Sequence, residues 1–466
     1  LNEAGETVVT QWFERARFEW HPDKPDEFKV LLGLLGTELR HTAAPSTTSI
    51  IGVEVNQGAA AATAAQLRNA QPQLVRYNAI MWSSVEATPG ARNWANIQAA
   101  TDELALLGHS GAAPLVIVRN TPAWAQQVTG SACGPIKPAA LDAFADFMHD
   151  LVSRYSVAPY NVHTWELGNE PDVGSNLVAG DSLFGCWGDP ADPYYGGGAY
   201  GEMLKRVYPK IKQADPAAQV GIGGLLLDCD PTHPPTGKDC QPAKFLEGIL
   251  RSGANAAFDF VNYHAYSYWS PTRQDWDLAS ATWQDRGGTV LGKLDFLQSV
   301  LQRYQVVKPI IMNEGGLLCY PGAQPCPSDR LAADQASYAI RLYTRSWAHG
   351  LAGAVWYTLN GPGWRSGGLL DAAQAPRPAY QAIILMSTLL RGASFMGPLT
   401  VPGGEGYLFR KGSTTYSVLW TNSDAPVTVP APLGIRAQFD ARGQRSLTSA
   451  TNLQLDFDPV IVEAQP

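Results

Sequence analysis

Charge is scarce in this chain. Asp, Glu, Lys and Arg together make up only 16% of its 466 residues, and the net charge is −8 with the basic residues dispersed. There is no basic stripe for nucleic acid or an anionic membrane surface to hold. Neither is therefore an expected partner, and an uncharged substrate fits better. Histidine is sparse, at eight, and neither a His-Glu-x-x-His helix nor a Cys-x-x-Cys pair occurs. The common zinc sites are thereby excluded, and neither a metal nor an organic cofactor is expected. No apolar run reaches the roughly 18 residues of a membrane span. No Gly-x-Gly-x-x-Gly turn follows the first apolar run, so a dinucleotide-binding open sheet has no support.

What the chain does have is a 45% hydrophobic content, enough for a large core. Eight apolar runs recur: 50–55, 74–78, 114–119, 162–167, 219–224, 258–264, 309–314 and 352–358. They are continuous rather than alternating, as strands buried on both faces should be. Amphipathic stretches separate them, the clearest carrying Leu141, Phe144, Phe147, Met148, Leu151, Val152 and Tyr155 at helical spacing. Others cover 93–107, 199–214, 241–251, 292–304, 332–349 and 378–390, and a less diagnostic, alanine-rich helical segment covers 57–70. Eight strand–helix units in series predict an α/β fold, a (β/α)8 TIM barrel, over residues 46–390. Beyond Arg391 helical periodicity stops. Short runs between turn residues then predict a small antiparallel, β-sandwich-like domain over 391–466. Residues 1–45 contain Trp12, Phe13, Phe18 and Trp20, too aromatic for a disordered tail, and are expected to pack against the barrel.

The six cysteines fall into pairs. Cys229 and Cys240 flank a Pro-rich loop, as do Cys319 and Cys326, and Cys133 and Cys186 lie in loops rich in Gly and Pro. An even count in loops points to disulfides and an oxidising compartment. The chain starts at Leu1 with no signal peptide, and is expected to be a processed or truncated form of a secreted protein. Fourteen Trp and eighteen Tyr are many for this length. Eight of the tryptophans (Trp82, Trp124, Trp187, Trp269, Trp276, Trp283, Trp356 and Trp364) fall at strand C-ends or in the loops that follow. That is the active face of such barrels, and an aromatic cleft stapled by disulfides is the expectation.

The chemistry concentrates at two strand ends. Thr164-Trp-Glu-Leu-Gly-Asn-Glu-Pro-Asp172 is a short apolar strand running into Asn169, Glu170 and Pro171, and Pro309-Ile-Ile-Met-Asn-Glu-Gly-Gly316 ends another strand in Glu314. Enough chain for three βα units lies between them. Two carboxylates on the ends of parallel strands can face one another across a cleft, which is the apparatus of glycoside hydrolysis with retention of configuration.

The strings "WELGNEPD" and "IIMNEGG" resemble the fourth and seventh strands of a clan A glycoside hydrolase. Over residues 46–390, with the C-terminal β domain, the order of elements is most similar to family 39, then family 5. Residues 1–45, with "WFERARFEWHP" and "VLLGLLG", resemble the end of a repeat module of extracellular bacterial proteins. The resemblance implies that Glu170 is the general acid and then base, and that Glu314 is the nucleophile. It implies that Asn169 bonds the sugar hydroxyl beside the anomeric carbon and that Arg76 holds Glu314 ionised. His264 and Tyr266 would contact nucleophile or substrate, and Trp356 would floor the site. Asn120 and Trp124 follow the third strand as further substrate-binding candidates. Glu54, ending the first strand, either binds a substrate hydroxyl or pairs with Arg76. Glu166, one layer deeper, is expected in a structural ion pair. The implied protein is a secreted, monomeric, retaining β-glycoside hydrolase acting on a poly- or oligosaccharide. Its rivals are a transglycosidase and a non-catalytic carbohydrate-binding barrel.

Overall fold

The computed structural model of the protein describes residues 9–12, 17–22, 24–32, 50–280, 282–320, 326 and 328–465. The aromatic Phe13 and the glycine-containing end of "VLLGLLG" lie outside the described residues. The chain divides into two compact units, 1–47 and 48–466. The first holds a three-stranded antiparallel sheet, β1 (Val9–Trp12), β2 (Arg17–Trp20) and β3 (Val30–Leu32), with β2 central.

The second unit opens with eight parallel strands: β4 (Ile51–Asn56), β5 (Leu74–Met81), β6 (Ala113–Arg119), β7 (Thr164–Leu167), β8 (Gln219–Ile222), β9 (Val261–Trp269), β10 (Ile310–Cys319) and β11 (Gly353–Trp356). They pair in chain order, β11 returns to β4, and parallel bridges from Gly221 to Phe260 and from Leu225 to Tyr263 close the ring between β8 and β9. Each strand is followed by a helix: Ala60–Ala70, Gln98–Gly108, Leu141–Tyr155, Gly197–Ala214, Phe245–Arg251, Gly288–Arg303, Ser328–Ala348 and Pro378–Leu390. The apolar runs became strands because both their faces are covered. In β4 every residue from Ile51 to Val55 is buried, Ile51, Val53 and Val55 on one face and Gly52 and Glu54 on the other. The helix Leu141–Tyr155 turns Phe144, Phe147, Met148, Leu151 and Val152 inward, with Asp142 in its first turn and Arg154 in its last, each complementing the helix dipole.

Residues beyond the last helix form a six-stranded antiparallel sheet and a two-stranded one. The larger contains β12 (Ser394–Leu399), β13 (Gly404–Lys411), β14 (Thr414–Thr421), β16 (Ile435–Phe439), β17 (Arg445–Leu447) and β19 (Val460–Ala464). The smaller pairs β15 (Val427–Pro430) with β18 (Asn452–Leu455). Alternation along β14 and β19 serves two cores. Val418, Trp420 and Ile461 join the barrel's core, while Leu419 and Val462 meet Val429, Leu453 and Leu455 of the small sheet. A buried ion cluster crosses the join: Arg345 donates to Asp277 and Asp275 of the loop after β9 and to Glu405 of β13. Strands β12 and β17 lie outside the short runs that the sequence offers in this region, 407–410, 415–420, 427–429, 436–440, 453–457 and 460–462. Three disulfides are present, Cys133–Cys186, Cys229–Cys240 and Cys319–Cys326. Among the described residues no helix is long and apolar enough to cross a membrane.

Candidate active site

Parallel pairing brings the strand ends together at one mouth. Glu54 pairs in register with Arg76, and Glu314 with His264. Arg76 is fully buried and is the hub of the site. Its Nε and Nη2 grip Glu166 at 2.9 and 3.0 Å, Nη1 donates to Glu54 at 2.5 Å and also to Glu314, and Nη2 donates to Asn169 Oδ1 at 2.7 Å. Glu54 and Glu166 are thus both hydrogen-bond partners of Arg76. The bond to Asn169 fixes that amide with its oxygen on the guanidinium and its nitrogen turned elsewhere. Asn313 Nδ2 and the Gly224 N–H complete the shell of Glu166, at 2.8 and 2.9 Å.

Glu170 stands just past β7. Gly168 and Glu170 both have positive φ, 82° and 48°. For the non-glycine residue this left-handed backbone is strained by about 1 kcal/mol or more and persists only where its surroundings impose it. The Glu170 N–H, held by the Gly224 carbonyl at 2.9 Å, is one such tie. Gly224 cannot carry a side chain, since a Cβ there would sit 2.1 Å from His264 Nε2. His264 Nδ1 bonds Glu170 Oε1 at 2.8 Å and lies 3.4 Å from Glu314 Oε2, which also accepts from the Tyr266 hydroxyl at 2.5 Å. One oxygen of Glu170, one of Glu314 and a His264 ring nitrogen all lie within 4.8 Å of one another. That spacing would also suit a cation, but both oxygens of Glu314 already accept hydrogens, one from Arg76 and one from Tyr266.

The electrostatics separate the carboxyls. Burial alone would push Glu314 up, but the charges of His264 and Arg76 and the hydrogen bonds from Tyr266 and Arg76 outweigh it and hold it below the ordinary carboxylate range. Burial would lower His264, yet the Glu314 and Glu170 carboxylates raise it overall. Glu54 goes the other way. Burial pushes it up to about 7, Arg76 offsets this only in part, and the charge on Glu314 adds to the rise. Glu54 therefore keeps its proton more tightly folded than unfolded. Its contribution to stability is complete below its ordinary 4.5 and is lost as the pH climbs through about 7. Replacing Glu54 with Gln should remove that dependence. The difference in melting temperature, wild type minus variant, should fall between those two pH values. A difference that stays flat across that range would show that Glu54 is ionised throughout.

Several expected residues take other positions. Trp356 is fully buried, with its Nε1 on the Gly367 carbonyl at 2.7 Å, and offers no face to a ligand. Trp82, Trp187, Trp269, Trp276 and Trp283 are also buried, and the indole N–H groups of Trp269 and Trp283 are spent on Asp334 and the Leu227 carbonyl. Trp124 is half-buried, edge-on to Trp82 and bonded to the Glu86 carbonyl. The tryptophans mostly pack beneath the loops, and of the eight only Trp364 is exposed, at 47%. It stands edge-on to Tyr266, 5.5 Å between centroids. Asn120, at φ 61°, has a buried Oδ1 with no protein partner.

Groups the sequence reading did not single out also belong to the site. Tyr357, one residue past Trp356, packs edge-on to Tyr266 at 6.1 Å. Behind Glu170, the buried Asp172 accepts from the N–H groups of Leu226 and Leu227, and Lys293 donates to the Leu226 and His264 carbonyls at 2.6 and 2.8 Å. The acidic end of "GNEPD" was the available signal for Asp172. Nothing in its helix marked Lys293.

No protein-family model matches the chain, and no curated protein matches it. Solved structures do. A family 39 glycoside hydrolase from the gut symbiont Bacteroides cellulosilyticus is similar over 97% of this chain and 87% of its own, with a TM-score of 0.67 and 17% identity. A GH30 endoxylanase from Clostridium papyrosolvens gives 0.60 at 10% identity, over 91% and 98%. The fold is the one these glycoside hydrolases share. A family 51 alpha-L-arabinofuranosidase from Bifidobacterium longum is similar over the same shares, at 0.57 and 13% identity.

Proposed function

We propose that the protein is a clan A glycoside hydrolase that cleaves a β-linked poly- or oligosaccharide with retention of configuration. The observation that carries this is the pair Glu170 and Glu314, with oxygens within 4.8 Å of each other at the mouth of one barrel. Retaining enzymes hold their carboxyls about 5–5.5 Å apart, whereas inverting ones leave about 6.5–9.5 Å for a water. The environments divide the labour. Glu314, held ionised by Arg76, His264 and Tyr266, attacks the anomeric carbon. Glu170 protonates the departing oxygen, then takes a proton from the water that breaks the glycosyl-enzyme ester. The Asn169 amide, oriented by Arg76, presents its nitrogen to the sugar hydroxyl beside the reacting carbon. Three disulfides favour an extracellular site of action.

The stereochemical outcome tests the reading directly. Proton NMR of the first product formed from a 4-nitrophenyl β-glycoside should show the β-anomer before mutarotation. The α-anomer as first product would overturn the two-step mechanism.

A further inference from the structure

The walls around the catalytic pair are unequal in height. Strand β11 stops at Trp356, opposite Gly315, and β7 and β8 are four residues each. Strands β9 and β10 instead stay paired for five further residue pairs beyond His264 and Glu314, from Ala265–Gly315 to Trp269–Cys319. At the rise of a parallel strand this ribbon stands on the order of 16 Å above the nucleophile. The Cys319–Cys326 disulfide ties its end.

Alternation decides what the ribbon shows to the cleft. Ala265, Ser267 and Trp269 are buried, with Ser267 bonded to Asp277 and Trp269 to Asp334. Tyr266 and Tyr268 take the opposite face, which is the cleft face because the Tyr266 hydroxyl sits on Glu314. Tyr268 is 37% exposed, and Tyr320, just past the end of β10, is 54% exposed. Their rings meet edge to face at 5.9 Å and 84°, so the two hold each other upright without covering each other. A pair of exposed aromatic rings beside a cleft is the kind of apolar patch that marks a ligand-binding groove.

We infer that Tyr268 and Tyr320 form a stacking site for an uncharged pyranose unit of the substrate chain other than the one attacked. The electron-rich ring faces suit the polarised C–H face of a sugar, and the row is continuous with Tyr266 at the nucleophile. This rests on the proposed hydrolase activity and adds to it a preference for oligosaccharides over single-sugar glycosides.

The test compares the β-linked hexaoses of glucose, xylose and mannose with the 4-nitrophenyl β-glycosides of the same sugars. For a sugar whose hexaose the wild type cleaves, kcat/KM on the hexaose should fall about tenfold in the double variant Tyr268→Ala, Tyr320→Ala, and where the nitrophenyl glycoside is cleaved as well, the ratio of the two should fall by as much. The double variant Tyr268→Phe, Tyr320→Phe keeps the rings and should restore most of the loss. An unmoved kcat/KM on the hexaose, an equal loss on both substrates, or a wild type that cleaves only the nitrophenyl glycosides would overturn the stacking site and leave the hydrolase reading intact. A wild type that cleaves none of the six would remove both.

Discussion

Replacing Glu314 with alanine is expected to lower kcat by about four orders of magnitude or more, because the first covalent bond of the reaction then has no oxygen to form from. The fold should survive. Arg76 keeps Glu166 and Glu54 as partners, and Asn169 still accepts from it, so no buried charge is stranded. The sharper form of the prediction is a trap. A 2-deoxy-2-fluoro β-glycoside with a good leaving group slows both steps but still permits the first. The enzyme should gain one sugar mass, and peptide mapping should find it on Glu314. Two other carboxylates surround the same guanidinium, which makes the outcome informative. Glu166 has both oxygens engaged by Arg76, Asn313 and the Gly224 N–H, and burial pushes Glu54 up to about 7. A label on Glu54 or Glu166 would show that the nucleophile had been misassigned.

The barrel and its two glutamates were legible because the physical demands on them are local. A strand covered on both faces has to be apolar throughout, and a carboxylate at its last position has to sit at the rim. Arg76 was expected to reach Glu314, and it does. The part that could not be read is orientation. A tryptophan at a strand end faces the cleft or packs beneath the loop according to strand parity and loop path, and for six of the eight the packing side won. The ribbon above the nucleophile was hidden for a related reason. Beyond His264 the sequence Ala-Tyr-Ser-Tyr-Trp alternates, so it lacks the continuous apolar pattern that marked the barrel strands and reads as loop. The edge strands β12 and β17 failed the same pattern: β12 carries Gly397, Pro398 and a bulge, and all three residues of β17 are exposed. Lys293 was illegible because its ammonium serves two backbone carbonyls, a role that leaves no sequence signature.

Removing Glu170 should have an effect that depends on the substrate more than on the enzyme. A poor leaving group, such as a sugar alcohol, cannot depart without a proton, and Glu170→Ala should slow its hydrolysis by about two to four orders of magnitude. A good leaving group such as 2,4-dinitrophenolate departs unaided, so its release in the first step should change little. The second step still needs a base for the attacking water. The glycosyl-enzyme on Glu314 should therefore accumulate, visible as a burst of dinitrophenolate followed by slow turnover. Azide needs no deprotonation and is small enough for the space the side chain leaves. It should restore turnover and yield a β-glycosyl azide. His264 gives a control on geometry. Its Nδ1 bonds Glu170 at 2.8 Å and lies 3.4 Å from Glu314, so Glu170→Ala frees the ring for the nucleophile alone without breaking the bonds of Arg76 or Tyr266 to Glu314. The first step should thus stay competent in the variant. An equal loss on both classes of substrate, with no burst and no response to azide, would mean that Glu170 holds the site together and does not move the proton.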